Sequence, residues 1–208
     1  MLPKLHYISQ GLNPNDHLQN IKLILDAGVK LVQLRLKNIS EDIYIECAIK
    51  AKELCIKHDA LLIINDNPLV AKKSKADGIH LGLDDMKILD VKKIITHKII
   101  GGTANTFEHV QQRCTEQVDY IGLGPYRFTT TKEKLSPILG IEGYQCIIEQ
   151  MKKENLNTPI YAIGGIELQD IESIINTGVY GIAVSGLITH ANQKENLVKE
   201  INKILYHA

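Results

Sequence analysis

Two kinds of apolar pattern alternate along the chain. Short apolar runs of strand length are separated by longer segments in which apolar residues recur every three or four positions, as in an amphipathic helix. In segment 40–58, for example, Ile43, Cys47, Ala51 and Leu54 recur among lysines and glutamates. The pattern predicts strands at residues 4–9, 30–35, 60–64, 78–81, 98–103, 119–123, 159–163 and 180–185. It predicts helices at residues 40–58, 106–117, 141–154, 168–177 and 192–206.

Strict alternation of strands and helices is typical of right-handed βαβ units around a parallel sheet. Eight units in 208 residues leave about 26 residues for each, which fits a small barrel. Gly28 and Gly178 are predicted helix ends just before strands. The sequence therefore predicts one α/β domain, a (β/α)8 TIM barrel spanning residues 1–208. The alternative, an open doubly wound sheet, lacks its G-x-G-x-x-G fingerprint after the first strand.

Composition and charge narrow the class of protein. With 24 Lys+Arg and 24 Asp+Glu the net charge is zero, which argues against nucleic-acid or anionic-membrane partners. The apolar runs are too short to span a bilayer, and the N-terminus lacks signal-peptide features, so a cytoplasmic location is expected. The four cysteines form no C-x-x-C pair, which disfavours zinc or redox sites and predicts reduced, mostly buried thiols.

Polar and apolar residues alternate strictly along the predicted second strand. Residues 31–37 read Leu-Val-Gln-Leu-Arg-Leu-Lys, so Gln33, Arg35 and Lys37 share one face and the residues between them share the other. The apolar face should pack under the helices, which directs the polar face towards the barrel axis and its mouth. Two inward cations need an anionic partner. An anion site is favoured over a core ion pair because Lys37 lies at the strand exit.

Acidic residues follow the third and fourth predicted strands. Asp66 ends one strand, and Asp84 and Asp85 lie in the loop after the next. Two carboxylates at adjacent strand ends suit Mg²⁺, which also takes waters and phosphate oxygens. The alternative is helix capping, by Asn67 before Pro68 and by Asp84. The residues alone leave both interpretations open.

The longest stretch without apolar periodicity runs from 124 to 137. It contains Thr129, Thr130, Thr131 and Lys132, which together could clamp an anion while the loop closes over a substrate. A solvated surface loop is the alternative.

Small residues end the last two predicted strands. They read Gly-Gly at 164–165 and Val-Ser-Gly at 184–186. Barrels often bind phosphate with main-chain N–H groups of these two loops, and glycine lets the backbone approach closely. Ordinary strand exits are the alternative. Among the eight histidines only His80 is expected near the mouth, and it is given no role; no nucleophile pattern of the Ser-His-Asp or Cys-His kind stands out.

Six motifs, in order along nearly the whole chain, resemble those of the thiamine-phosphate synthase family. They are Gln-Leu-Arg-Leu-Lys at 33–37, Ile-Asn-Asp at 64–66, Asp-Gly-Ile-His-Leu-Gly-Leu-Asp-Asp-Met at 77–86, Gly-Leu-Gly-Pro at 122–125, Thr-Thr-Thr-Lys at 129–132 and Ala-Ile-Gly-Gly-Ile at 162–166. The resemblance implies a transferase of thiamine biosynthesis on a triosephosphate-isomerase-type barrel. Such an enzyme joins hydroxymethylpyrimidine diphosphate to hydroxyethylthiazole phosphate, with Mg²⁺, and releases pyrophosphate.

The resemblance also implies roles for individual residues of this chain. Asp66 and Asp85 would hold the metal. The pyrimidine diphosphate would be bound by Gln33, Arg35, Lys37, Asn65, Thr103 and Lys132. The thiazole phosphate would be bound by Thr129, Thr130, Thr131, Gly165, Val184 and Ser185. Catalysis would fall to Arg35, Lys37 and Lys132, which would stabilise the charge on the departing pyrophosphate.

The chain departs from the family motifs at several positions. Leu36 replaces the usual acid, Asn67 the usual arginine and Thr130 the usual proline. Thr103-Ala104-Asn105 replaces the usual Ser-Thr-His. These changes are expected to alter substrate affinity. Two alternatives follow: a thiazole tautomerase on the same barrel, and a non-catalytic sensor of phosphorylated ligands. The partners implied are small phosphorylated molecules, and a homodimer is one candidate for the oligomeric state.

Overall fold

Eight parallel strands form one closed barrel in sequential order in the computed structural model, which describes residues 1–128 and 137–207. The strands are Leu5–Ile8 (β1), Leu31–Leu34 (β2), Leu61–Asn65 (β3), Gly78–Leu81 (β4), Ile99–Ala104 (β5), Tyr120–Leu123 (β6), Ile160–Ile163 (β7) and Gly181–Val184 (β8). Strand β1 pairs with both β2 and β8, which closes the sheet. The predicted TIM barrel is confirmed, and every predicted strand agrees with an observed one to within a residue or so at each end.

Helices cover the outside of the barrel. They are Pro14–Asp26 (α1), Glu41–Lys57 (α2), Pro68–Lys73 (α3), Ile88–Ile94 (α4), Phe107–Thr115 (α5), Gly140–Lys153 (α6), Ile171–Asn176 (α7), Gly186–Thr189 (α8) and Lys194–His207 (α9). One predicted helix is wrong in detail. Residues 168–177 divide into a 3₁₀ turn, Leu168–Asp170, and α7, because the Asp170 and Glu167 side chains cap each other's main chain at the start of the turn.

Two apolar layers hold the barrel together. Outward-facing residues such as Val32, Leu34 and Leu36 are buried against the helices. Inward-facing residues such as Leu31 and Ile63 fill the barrel interior. This division follows the period of two along β2, so the predicted orientation of that strand is confirmed.

Aromatic rings close the lower part of the barrel interior. His6 contacts Tyr120 and Tyr161 edge-on, with ring centroids 5.6 Å and 5.7 Å apart. His80 stacks on Tyr120 at 5.5 Å. These rings fit because the residue that faces Tyr120 on strand β5 is a glycine. A Cβ on Gly101 would lie 2.5 Å from the Tyr120 hydroxyl oxygen and closer still to its ring. The open part of the barrel therefore lies towards the C-terminal ends of the strands.

The remaining general predictions have mixed outcomes. Gly28 and Gly178 follow helices with φ of 100° and 99°, as expected of helix ends. Cys47 and Cys55 are buried, but Cys146 is exposed, so the prediction of a buried thiol is wrong there. Helix α6 buries Tyr144 and Ile147, and Cys146 lies off that face. None of the helices in the described part of the chain combines the length and apolar character of a membrane span.

Candidate active site

A cavity of about 290 Å³ opens at the C-terminal ends of the strands. Seven of the residues predicted from the sequence line it: Gln33, Arg35, Asn65, Thr103, Gly165, Val184 and Ser185. They come from strands β2, β3, β5, β7 and β8 or from the residues just after them, which is where barrel enzymes carry their reactive groups. The fold thus brings together residues that are up to 152 positions apart in sequence, Gln33 and Ser185.

Two buried amides form one wall of this cavity. The side-chain nitrogen of Gln33 donates to Asn65 Oδ1 at 2.7 Å, across the β2–β3 pair. Gln33 and Asn65 are 3% and 6% exposed, so their orientation is fixed before any ligand arrives. The pairing uses one polar atom of each amide. The side-chain oxygen of Gln33 (Oε1) and the side-chain amide nitrogen of Asn65 (Nδ2) are the atoms that the two residues could offer to a ligand.

A hydrogen-bonded chain of three side chains forms the opposite wall. Thr103 Oγ1 lies 2.9 Å from His80 Nε2, and His80 Nδ1 lies 3.2 Å from the Tyr120 hydroxyl. His80 was given no role from its sequence position, yet it holds Thr103 in place. His190, at the end of α8, also lines the cavity, so the expectation that only His80 would lie near the mouth is wrong; His6 lines the cavity from the lower part of the barrel. Period-two orientation, applied to β1 as it was to β2, would have directed His6 inward.

An acidic pair lies beside the cavity. Lys37 Nζ forms an ion pair with Asp66 Oδ2, and Asp85 lies within hydrogen-bonding contact of Asp66. Asp85 Oδ2 also accepts the Gly82 main-chain N–H at 2.6 Å. Burial and then the neighbouring Asp66 carboxyl group raise the pKa of Asp85 to about 6. Asp66 itself adopts φ of 66°, a conformation that residues other than glycine rarely hold outside functional sites or turns.

The acidic pair fits a magnesium ion. Burial is the first cause of the raised pKa of Asp85 and the neighbouring Asp66 carboxyl group is the second; a divalent cation would relieve the repulsion between the two carboxylates. Mg²⁺ characteristically takes one or two carboxylates and completes its shell with water and substrate phosphate. In the described residues, no group of three or more His, Cys, Asp or Glu side chains could hold a metal ion, which leaves no all-protein cage there.

The capping alternative holds for one residue only. Asn67 Oδ1 accepts the main-chain N–H groups of Leu69 and Val70 at 2.9 Å and 3.0 Å, so it caps α3 as predicted. The prediction that Asp84 caps the following helix is wrong: α4 begins at Ile88, with Lys87 at the N-cap position. Asp84 lies three residues before that N-cap position, because the loop that carries Asp85 continues to Lys87.

A second cavity of about 310 Å³ adjoins the first. It lies between the loops that follow β1 and β2, and Lys37 lines it. Gln10, Arg35 and Ser185 line both cavities. Arg35 therefore lies at the boundary between the two cavities, and a second cation, Lys37, lines one of them. The core ion pair considered as the alternative for Lys37 is not found, because Lys37 pairs with Asp66 at the mouth, where Lys37 is half exposed.

The loop after β7 has the backbone conformation expected where main-chain N–H groups approach a phosphate closely. Gly164 and Gly165 adopt φ of 98° and 68°. Arg127 holds this loop: its main-chain N–H donates to Gly164 O at 2.9 Å and its guanidinium donates to Gly165 O at 2.8 Å. The guanidinium is in turn paired with Asp170 at 2.9 Å. The neighbouring loop contributes Ser185, whose hydroxyl donates to Gln10 Oε1 at 3.3 Å.

A buried arginine on α5 supports the ends of two strands. Arg113 is 3% exposed and donates to Thr103 O at 3.1 Å and to Gly82 O at 2.9 Å. It is paired with Glu116 at 2.7 Å. One guanidinium therefore joins the end of β5 to the loop that carries Asp85. The four residues predicted in the long loop, Thr129, Thr130, Thr131 and Lys132, lie outside the described residues.

The comparison with known proteins decides the family. The model of thiamine monophosphate synthase matches residues 6–188. The chain belongs to this family. It is 52% identical to thiamine-phosphate synthase of Flavobacterium psychrophilum over 206 residues, covering 99% of this chain and 100% of that protein. It is 43% identical to the Bacteroides thetaiotaomicron protein of the same name over 202 residues, covering 97% and 95%.

Solved structures give the same family and fold. Thiamine phosphate pyrophosphorylase from Pyrococcus furiosus matches with a TM-score of 0.85 and 30% identity, covering 98% of this chain and 96% of that one. A 3-hexulose-6-phosphate synthase matches with a TM-score of 0.71 at 14% identity, covering 98% and 100%, and so shares the barrel fold. The predicted family is therefore confirmed, while the roles of individual residues stay predictions.

The departures from the family motifs have structural roles in this chain. Leu36 is buried in the layer between strands and helices, and Ala104 is fully buried there too. Asn67 caps α3. Asn105 is buried, and its side-chain amide donates to the Gly124 carbonyl, which joins the ends of β5 and β6. At these four positions the substituted residues pack, cap or bridge within the chain.

Proposed function

We propose that the chain is a thiamine-phosphate synthase. It would join hydroxymethylpyrimidine diphosphate to hydroxyethylthiazole phosphate and release pyrophosphate. The observation that carries the proposal is the acidic pair Asp66–Asp85 with Lys37, next to a cavity that extends from the Gln33–Asn65 amides to Gly165 and Ser185. The family membership and the 52% identity to a thiamine-phosphate synthase support it.

The reaction needs charge stabilisation rather than acid–base catalysis. The bond between the pyrimidine methylene carbon and the diphosphate oxygen breaks, and its electron pair leaves with pyrophosphate. The thiazole nitrogen lone pair then forms the new carbon–nitrogen bond, so no proton has to be moved. Arg35 and Lys37 would stabilise the negative charge that develops on the leaving group. The reaction requires no nucleophile from the protein.

The diphosphate end of the site is assigned to the groups around Arg35. Gln33, Asn65 and Thr103 would orient the pyrimidine diphosphate from the two walls of the cavity, and Lys132 would join them. Asp66 and Asp85 would hold Mg²⁺, which when bound would neutralise diphosphate charge and favour departure of pyrophosphate. The thiazole phosphate would be bound at the other end, by Gly165, Val184 and Ser185 with Thr129, Thr130 and Thr131. Enclosure of both substrates would keep water from the reactive carbon.

The test is a pyrophosphate-release assay with both substrates, run with and without Mg²⁺, with thiamine phosphate measured in parallel. We expect both products, and we expect their loss when Mg²⁺ is removed. Asp66→Asn should lose at least a hundredfold in rate, because one carboxylate of the pair is neutralised. Asp90→Asn is the matched control, since Asp90 is an exposed aspartate paired with Lys93. Absence of both products from the wild-type protein would refute the proposal.

Two additional measurements, of thiazole isomerisation and of thiamine phosphate binding, separate the two alternatives. Aromatisation of thiazole carboxylate phosphate without any pyrimidine substrate would identify a tautomerase. Tight binding of thiamine phosphate with no turnover would identify a ligand sensor.

We further propose that residues 1–208 act as one catalytic domain, in the cytoplasm, and as a homodimer. Light scattering on the purified full chain tests the homodimer.

A further inference from the structure

A serine hydroxyl ties the residue after β2 to the residue after β1. Ser9 directly follows β1, and its main-chain N–H donates to Gln33 O at 2.8 Å, which continues the strand pairing. The next hydrogen bond between the two segments has a side-chain acceptor instead of a main-chain one. The main-chain N–H of Arg35 donates to Ser9 Oγ at 3.0 Å. A side chain therefore fixes the backbone at the point where the regular β1–β2 pairing has ended.

The hydroxyl is held in turn by a histidine. Ser9 Oγ lies 2.7 Å from His17 Nδ1. Ser9 Oγ accepts the Arg35 N–H, and it can donate its own proton to Nδ1 when the neutral imidazole carries its proton on Nε2. Burial lowers the pKa of His17, which favours this neutral, accepting form, although a hydrogen bond to the Gly11 backbone opposes the shift.

The loop after β1 places His17 with little freedom. Asn13 caps α1 by accepting from the main-chain N–H groups of Asn15 and Asp16 at 2.9 Å and 3.1 Å. His17 lies in the first turn of that helix, and its N–H donates to Asn13 O at 3.2 Å. A Cβ on Gly11 would lie 2.8 Å from His17 Cδ2, so the loop packs directly against the imidazole ring.

We propose that Ser9 and His17 are a positioning pair for Arg35. They fix the backbone from which the Arg35 side chain extends, and so its direction at the boundary of the two cavities. Ser9 and His17 are 4% and 6% exposed, and the hydroxyl is engaged on both sides. The pair therefore holds a neighbour in place rather than attacking a substrate. The inference rests on the proposed function, in which Arg35 receives the departing pyrophosphate.

The pair makes a specific prediction about ligand binding. Removing the hydroxyl frees the Arg35 backbone, so Ser9→Ala should weaken the binding of inorganic pyrophosphate in the presence of Mg²⁺ by roughly tenfold, measured by calorimetry. Ser9→Ala should also raise KM for the diphosphate substrate and leave KM for the thiazole phosphate within about twofold. Ser74→Ala is the matched control, because Ser74 is also 4% exposed and donates its hydroxyl to a main-chain carbonyl, at the far end of α3.

Two further sets of variants separate positioning from general damage. His17→Asn keeps an acceptor close to the Nδ1 position and should bind pyrophosphate within about threefold of wild type, whereas His17→Leu should match Ser9→Ala. In an Arg35→Ala background, Ser9→Ala should have no further effect on pyrophosphate binding. Circular dichroism and thermal unfolding of every variant check that it is folded.

The outcomes are distinct for the two proposals. Wild-type pyrophosphate affinity in Ser9→Ala, or an equal loss in the Arg35→Ala background, would overturn the positioning pair. So would a wild-type protein that does not bind pyrophosphate at all. A wild-type protein that binds pyrophosphate through Arg35 but makes no thiamine phosphate would overturn the proposed function and leave the positioning pair supported.

Discussion

Replacing His6 by phenylalanine should remove a pH-dependent contribution to stability. His6 is 1% exposed inside the barrel, and neither ring nitrogen has a hydrogen-bond partner among the described residues. The rings of Tyr120 and Tyr161 contact it edge-on. Phenylalanine keeps an aromatic ring in this space and sacrifices no hydrogen bond, so we expect the variant to fold and to be at least as stable as wild type at neutral pH.

The magnitude follows from the pKa of His6. Burial, and then the neighbouring His80, lower this pKa from 6.5 to about 3. The fold therefore favours the neutral ring, while the unfolded chain takes up a proton near pH 6.5. The stability that His6 contributes is present above pH 6.5 and is lost as the pH falls from 6.5 towards 3. Between pH 7 and pH 5 the loss is about 2 kcal/mol, since one pH unit corresponds to about 1.4 kcal/mol.

Urea unfolding followed by circular dichroism at pH 7 and pH 5 measures this loss. Titrating groups away from this site contribute equally to wild type and variant, so the comparison isolates His6 together with its coupling to His80. We expect the decrease in unfolding free energy on acidification to be smaller by about 2 kcal/mol in His6→Phe. His97→Asn serves as the control: His97 is exposed, and asparagine tolerates its φ of 55°. The same acid sensitivity in His6→Phe and wild type would show that the fold does not hold His6 neutral.

Two further substitutions test the packing described above. Gly101→Ala should destabilise the barrel by about 3 kcal/mol or more, because the new methyl group would overlap the Tyr120 ring; an unchanged melting temperature would contradict this. Asp77→Asn should cost about 1–2 kcal/mol, because Asp77 accepts from Lys52 Nζ at 2.7 Å and from a β3 main-chain N–H at 2.7 Å. Urea unfolding of Asp77→Asn, of Lys52→Met and of the double variant measures the coupling between the two residues. A double variant that loses the sum of the two single effects would contradict the ion pair's contribution.

The barrel and much of its mouth could be predicted because the relevant signals are local. Strand orientation depends on a period of two that five or six residues are enough to display, as along β2, where Gln33 and Arg35 line the cavity as expected. Helices α3, α4 and α8 have seven residues or fewer, which gives too little periodicity to recognise. Asn67 and Pro68 marked the start of α3 because capping is also local.

The barrel interior could not be predicted in the same way. Whether Tyr120 fits inside depends on what lies opposite, and its neighbour across β5 and β6 is Gly101. That pairing is a property of the register, which no single strand specifies. His80 was passed over for the same reason, since its partners Thr103 and Tyr120 come from two other strands.

The contacts of the acidic pair likewise depend on tertiary structure. The residues after β3 and β4 were expected to be near one another, because parallel strands end at one edge. The ion pair of Lys37 with Asp66 depends on how two loops fold back, and so do the burial and the Asp66 contact that raise the pKa of Asp85. Ser9 and His17 are only eight residues apart, yet their contact requires a tight loop that the glycine at position 11 permits.

The outer helix α5 will matter to anyone who screens variants of this protein. Arg113 lies outside the ring of strands, and its guanidinium reaches the ends of both β4 and β5. A random library selected for growth without vitamin B1 would therefore lose clones at this position as readily as at the rim itself. A survey that ranks positions by distance from the substrate would dismiss those losses. They would nevertheless reflect the loss of the arginine that holds the residues after β4 and the end of β5 at a fixed distance from each other.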